Sequence, residues 1–247
     1  MSDGIARPLR MIATVVSTVL MSAWVNAQDA AFYQSFSHRI PPEQTAGRLP
    51  HIRCHQGNWL QPVEITVPDG AEISIYAGAT QPVGMASSPT LVAVNPGHIY
   101  RLRLTNMPEF PHAELYPSIE ILDRLHPPPG KENHYPIPIL FSKDDIGLAL
   151  AGRLVTRVIY LEQPRLAQQL DPLNREIAQA VLPSENVLEE ADRLGRPMII
   201  VRIGDRHPSR FQTSSSFFGT GGDAQMRSDE FTVRRPPQIN RVAQRVR

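Results

Sequence analysis

A single cysteine, Cys54, stands in the whole chain, so no disulfide can form within it and the fold must rest on packing alone. Tryptophan is almost as scarce. Trp24 sits in an N-terminal apolar run and Trp59 is the only other one, while aromatics make up 6% of residues, which argues against a carbohydrate platform of exposed indoles. Neither sign of charge is in excess: 25 Lys and Arg face 24 Asp and Glu, and setting aside Arg7, Arg10 and Asp3 at the N-terminus leaves 23 of each. Such a balance gives no general pull toward nucleic acid or an anionic surface. The hydrolase signatures G-x-S-x-G, S-x-x-K and H-E-x-x-H are absent, and with them the commonest nucleophilic and zinc-dependent chemistries. The longest apolar run, Met11 to Val25, falls short of the roughly 20 residues that span a bilayer, and Thr14, Ser17, Thr18 and Ser22 dilute it.

What that run does fit is export. Arg7 and Arg10 form a positive head, the apolar stretch follows, and Val25-Asn26-Ala27 presents small residues at −3 and −1, the pattern a signal peptidase cuts. Residues 1–27 therefore read as a signal peptide, with the mature chain starting near Gln28, no transmembrane span after cleavage, and a periplasmic or extracellular location. An uncleaved anchor is the competing reading.

Twenty-four prolines set the architecture, since each removes a backbone donor and discourages helix in the residue before it. Residues 28–61 carry no sustained period and read as an extended segment. Alternation then begins: Val63 to Val67 and Ala71 to Ile75 flank Pro68-Asp69-Gly70 as a hairpin would. Leu91 to Val94 and His98 to Thr105 flank Asn95-Pro96-Gly97 in the same way. In the second of these, Tyr100, Leu102 and Leu104 alternate with Arg101 and Arg103, which reads as a sheet with one solvated face. Ser118 to Leu122, Pro136 to Phe141, Leu154 to Leu161 and Met198 to Ile203 add further strands. The fold class expected is mainly β, an antiparallel β-sandwich of Ig-like or transthyretin-like type, occupying residues 62–208.

Two or three short helices punctuate it. Ser142 caps a segment carrying Asp144 and Asp145 in its first turn, closed by Gly152. Asp171-Pro172 and Ser184 open two more within a helical insertion at 165–195, the second stopped by a left-handed Gly195. From Ser209 the composition turns to Ser and Gly, then from Phe231 to five arginines and two prolines with no acid. Residues 209–247 read as a disordered tail, unable to bury enough surface to offset ordering. Arg234, Arg235, Arg241, Arg245 and Arg247 are the candidate partner-binding residues, suited to an envelope protein or an anionic polymer.

Chemistry-bearing clusters are few. His51-x-x-Cys54-His55 resembles half of a haem attachment site, but a histidine stands where the first cysteine is needed. Cys54 lies too early in the chain for the cupredoxin order of ligands, with no methionine close behind. No metal or other cofactor is expected. Glu114, Glu120 and Asp123 beside His112 and His126 are the one candidate general acid/base cluster, although Glu120 lies in an alternating strand that should turn it to water.

Two segments, Pro136 to Asp145 running into Ala151 to Leu161, and Glu189 to Gly204, resemble those of exported bacterial proteins of unassigned function. The resemblance extends over Pro62 to Gly204 and implies an exported module with a strand, short capped helix and strand core, followed by a helix-to-strand coda. It carries over no catalytic residue. The functional expectation is an exported, non-enzymatic structural or interaction protein of the cell envelope. The alternatives are a secreted hydrolase with carboxylates and histidines in the proline-rich loops, and a small-ligand or glycan-binding sandwich.

Overall fold

Alternation of period two turns into two facing sheets. The computed structural model describes residues 43–48, 60–131, 134–163, 165, 178–180, 185–208, 217–227 and 241–246, all within the unit Phe36–Arg247. Residues 1–27, the expected signal peptide, Cys54 with its neighbouring histidines, and Asp171 to Ile177 lie outside them.

In chain order the strands are β1 (Gln61–Thr66), β2 (Glu72–Tyr76), β3 (Gly84–Ser87), β4 (Thr90–Val94), β5 (Ile99–Thr105), β6 (Ser118–Ile121), β7 (Ile137–Leu140), β8 (Val155–Glu162), β9 (Ala178–Ala180), β10 (Gly195–Ile203), β11 (Ala224–Arg227) and β12 (Arg241–Val246). The helices are α1 (Thr45–Arg48), α2 (Lys143–Leu150) and α3 (Val187–Leu194). A short sheet of four strands runs β11-β4-β1-β7, and a long sheet of eight runs β3-β2-β5-β6-β10-β8-β12-β9. The protein is thus mainly β, with a sandwich-like pair of sheets. Val63, Ile65, Val92 and Val94 from the short sheet meet Ile73, Ile75, Leu102, Leu104, Ile119, Ile199 and Val201 from the long one in a single core.

Both expected hairpins are corners between sheets. β1 belongs to the short sheet and β2 to the long one, joined by the 3-10 turn Pro68–Gly70. β4 and β5 part in the same way across Asn95-Pro96-Gly97, where Gly97 takes a φ of 85° that other residues avoid. The alternating pattern satisfies either arrangement, because each strand needs only one apolar face against the common core. The sandwich is also not wholly antiparallel. β7 lies parallel to β1 and β9 parallel to β12, which a long connection permits and a hairpin does not.

Ser142 caps α2 as expected, in a reciprocal box. Its hydroxyl accepts from the Asp145 N–H at 3.2 Å while its own N–H donates to Asp145 Oδ2 at 2.9 Å. Asp145 is buried and ion-paired to Arg157 of β8 at 2.7 Å, so it does more than face the helix dipole. α3 is capped by Asn186 rather than Ser184. Gly195 is extended, not left-handed, and opens β10 directly; a Cβ there would lie 2.2 Å from the Leu161 carbonyl oxygen, so close packing rather than helix stopping demands glycine. Within the expected helical insertion, Ala178–Ala180 is a strand.

The expected disordered tail also contributes to the sheets. β11 pairs with β4, and β12 pairs with β8, setting Arg241 opposite Tyr160 and Arg245 opposite Thr156. Composition counts what side chains can bury, whereas an open sheet edge supplies backbone hydrogen bonds to any extended segment that reaches it. Arg234, Arg235 and Arg247 lie outside the described residues. Among the described residues no helix is long and apolar enough to cross a membrane.

Candidate functional site

The outer face of the long sheet, turned away from the short sheet, carries an unusual concentration of charge. Register puts Arg101 of β5 opposite Ser118 of β6, and Ser118 opposite Arg202 of β10. Two residues along, Ile99, Glu120 and Ile200 form the next row on the same face. None of this row faces water. Glu120 is fully buried, its Oε2 accepting from Arg202 Nη1 at 2.7 Å and its Oε1 from the Ala46 N–H at 2.6 Å. Arg101, expected on a solvated face, is 3% exposed.

What covers this face comes from both ends of the described chain. Glu43 and α1 lie across it from the N-terminal side, and Phe217 and Phe218 from the C-terminal side. Arg101 donates from Nε to the Phe217 carbonyl at 2.8 Å, from Nη1 to that of Tyr116 at 3.3 Å, and from Nη2 to Glu43 Oε1 at 2.9 Å. Arg206 approaches the other Glu43 oxygen at 3.7 Å, and both guanidinium groups lie over the Phe217 ring, 4.9 and 5.4 Å from its centre. Tyr76, Phe218, Phe217, Tyr116 and His207 continue as a run of ring contacts. Gly219 lets the covering segment cross close to β5: a Cβ there would meet the Ile99 carbonyl oxygen at 2.2 Å. Burial pulls the Arg101 guanidinium below its ordinary value, and the Glu43 carboxylate opposes that pull. The Ser118 hydroxyl is buried with no hydrogen-bond partner among the described residues.

The five residues offered as an acid/base cluster do not come together as one. Glu114 pairs with Arg103 Nε at 2.5 Å and accepts from the Tyr116 hydroxyl at 2.5 Å. Partial burial raises its pKa, but these two hydrogen bonds outweigh that and hold the carboxyl below the usual range. Glu120 is closed by Arg202, and Asp123 by Arg196 at 3.4 Å and the Arg124 N–H at 2.8 Å. His112 and His126 are exposed. The imidazole near Glu114 belongs instead to His207, edge-on to Tyr116 at 5.9 Å. A shallow depression lined by Pro68, Met107, Pro108, Phe110 and Ile146 lies elsewhere, with Lys143 and Glu109 paired at it; none of the five lines it. Among the described residues no three His, Cys, Asp or Glu side chains converge as metal ligands would.

Sequence reasoning missed Glu43, Arg202, Arg206 and Phe217. One signal was available: Glu120 and Arg202 occupy outward positions on neighbouring strands, where opposite charges pair. No family model matches the chain, nor does any curated protein or any solved structure.

Proposed function

We propose that this is an exported protein of the cell envelope that acts by binding a partner. The observation that carries the reading is the commitment of the acids: Glu114, Glu120 and Asp123 are each held by an arginine. A general acid or base needs a carboxyl free to take or give a proton at the substrate, and each of these carboxylates is instead committed to a guanidinium. The hydrolase alternative loses its residues in this way. An uncharged edge adds support: among the described residues β3 pairs with a strand on one side only, and Met85 on it is 60% exposed; such edges invite pairing with another chain.

Export is tested by N-terminal sequencing of protein recovered from outside the cytoplasm, which should begin near Gln28; recovery of intact residues 1–27 overturns it. Partner binding is tested by retention on isolated envelope. Full-length protein should be retained, and Arg234→Ala/Arg235→Ala/Arg247→Ala should be retained less. The difference should shrink as salt rises from about 50 to about 500 mM, because screening weakens exposed ionic contacts first. Equal retention of the two forms removes the arginines from the mechanism, and no retention of either overturns envelope binding.

A further inference from the structure

We propose that the outer-face site around Arg101 is a peptide-binding site, reading an acidic residue and a small residue three positions later, and that residues 43–48 fill it as the chain's own exchangeable ligand. This deepens the interaction reading and rests on it: it names the partner chemistry as an acidic peptide segment supplied by another protein.

Residues 43–48 make contacts of three kinds. The Glu43 carboxylate takes a hydrogen bond from Arg101, whose Nε and Nη1 donate to the Phe217 and Tyr116 carbonyls, so its guanidinium is aimed before any ligand arrives. The Ala46 N–H goes to Glu120, whose second oxygen Arg202 holds in place. The Ala46 side chain is fully buried in the same cluster as Ile99, Leu122, Val158, Leu188 and Ile200, a setting in which a larger side chain forces its neighbours to shift. A free carboxylate ion offers only the first of these contacts; a peptide offers all three. This is why the ligand class is a peptide.

The chain's own segment fits imperfectly, which is what makes exchange possible. Glu43 sits at φ 65°, a left-handed conformation that disfavours non-glycine residues. Its second oxygen is 3.7 Å from Arg206, and its side chain is 24% exposed, so the carboxylate position can be reached from solvent. Beneath, in register between Arg101 and Arg202, the buried Ser118 hydroxyl has no hydrogen-bond partner among the described residues. A segment that engages Arg206 closely, or that satisfies Ser118, gains contacts Glu43 does not make, and differential contacts are what shift such an equilibrium.

The test uses the full mature chain and a fluorescent peptide of residues 41–50. In the variant Glu43→Ala/Ala46→Arg the tethered segment is expelled, and saturable binding of the peptide should appear, measured by anisotropy. Wild-type protein should bind it at least tenfold more weakly, because its own segment competes at high effective concentration. A peptide carrying Glu43→Gln should bind the variant at least tenfold more weakly than the parent peptide. No saturable binding by folded variant, or equal binding of the two peptides, overturns the proposal. So does displacement by free glutamate as effective as displacement by unlabelled peptide, which would reduce the site to a carboxylate site. Should the variant not fold, hydrogen exchange on wild-type protein decides. Excess peptide should speed exchange of the Ala46 amide severalfold, and unchanged exchange overturns the proposal. Binding of a purified peptide does not require envelope association, so the two readings fail separately.

Discussion

On β6, Ile119 and Glu120 are both fully buried, in opposite ways. Ile119 points into the core between the sheets, among side chains that ask only for shape and volume. Glu120 points outward, and its burial depends on two named donors, Arg202 and the Ala46 N–H. The same contrast holds on β5 between Leu102 and Arg101. Apolar burial is non-directional and draws on many neighbours, whereas a buried charge is tolerable only while its particular partners stay in place. The inner face is therefore a packing surface, whereas the charged part of the outer face, around Arg101 and Glu120, is a set of specific contacts that a segment such as 43–48 can make or break.

The contrast breaks most visibly at Glu120. Glu120→Ala leaves the half-buried Arg202 and the Ala46 N–H without their partner and should cost about 3–5 kcal/mol in a urea unfolding titration. Ile119→Ala, one residue away on the other face, should cost about 2–5 kcal/mol through its cavity. What distinguishes the faces is the response to a second change. Adding Arg202→Met to Glu120→Met should recover much of the loss of the single variant, because an ion pair replaced by apolar side chains is often near neutral, with the Ala46 N–H left to account for about 1–3 kcal/mol. A double variant no more stable than Glu120→Met would erase the distinction.

A smaller effect sharpens it at the end of the core, where α2 answers the one charge that β8 brings to that side. Arg157 is paired there with Asp145 of the capping box. Ser142→Ala should cost about 1 kcal/mol and Ser142→Gly only a few tenths; the reverse order would show that the cap does not hold the helix. The smallest effect belongs to Glu114, more exposed than Glu120 and paired at the rim of the outer face. Its pKa is lowered on folding, so its contribution is complete above the unfolded value of about 4.3 and is lost as pH falls through the lower folded one. The stability gap between wild type and Glu114→Gln should accordingly be constant near neutrality and close in acid. A gap that persists to pH 3 or below would show that the pairing does not depend on the carboxylate charge.

Local pattern by itself determined most of the strands and the α2 cap. Alternation marks β1, β2, β5 and β6, short runs between proline and glycine breaks mark β4, β7 and β8, and Ser142 with Asp145 three residues on carries its own capping chemistry. These are legible because the interactions responsible lie within a few residues of one another. Only the tertiary structure decided that Pro68–Gly70 and Asn95-Pro96-Gly97 turn between sheets, since a strand's pairing partner is chosen by distant residues. The same holds for β11 and β12, whose stability comes from the open edges of β4 and β8 rather than from their own composition. It also decided that Arg101 and Glu120 are buried. An outward position on a strand reads as solvent unless something covers it, and the cover here comes from Glu43, Ala46 and Phe217, as far as 116 residues away in the chain; no local period records a contact made over that distance.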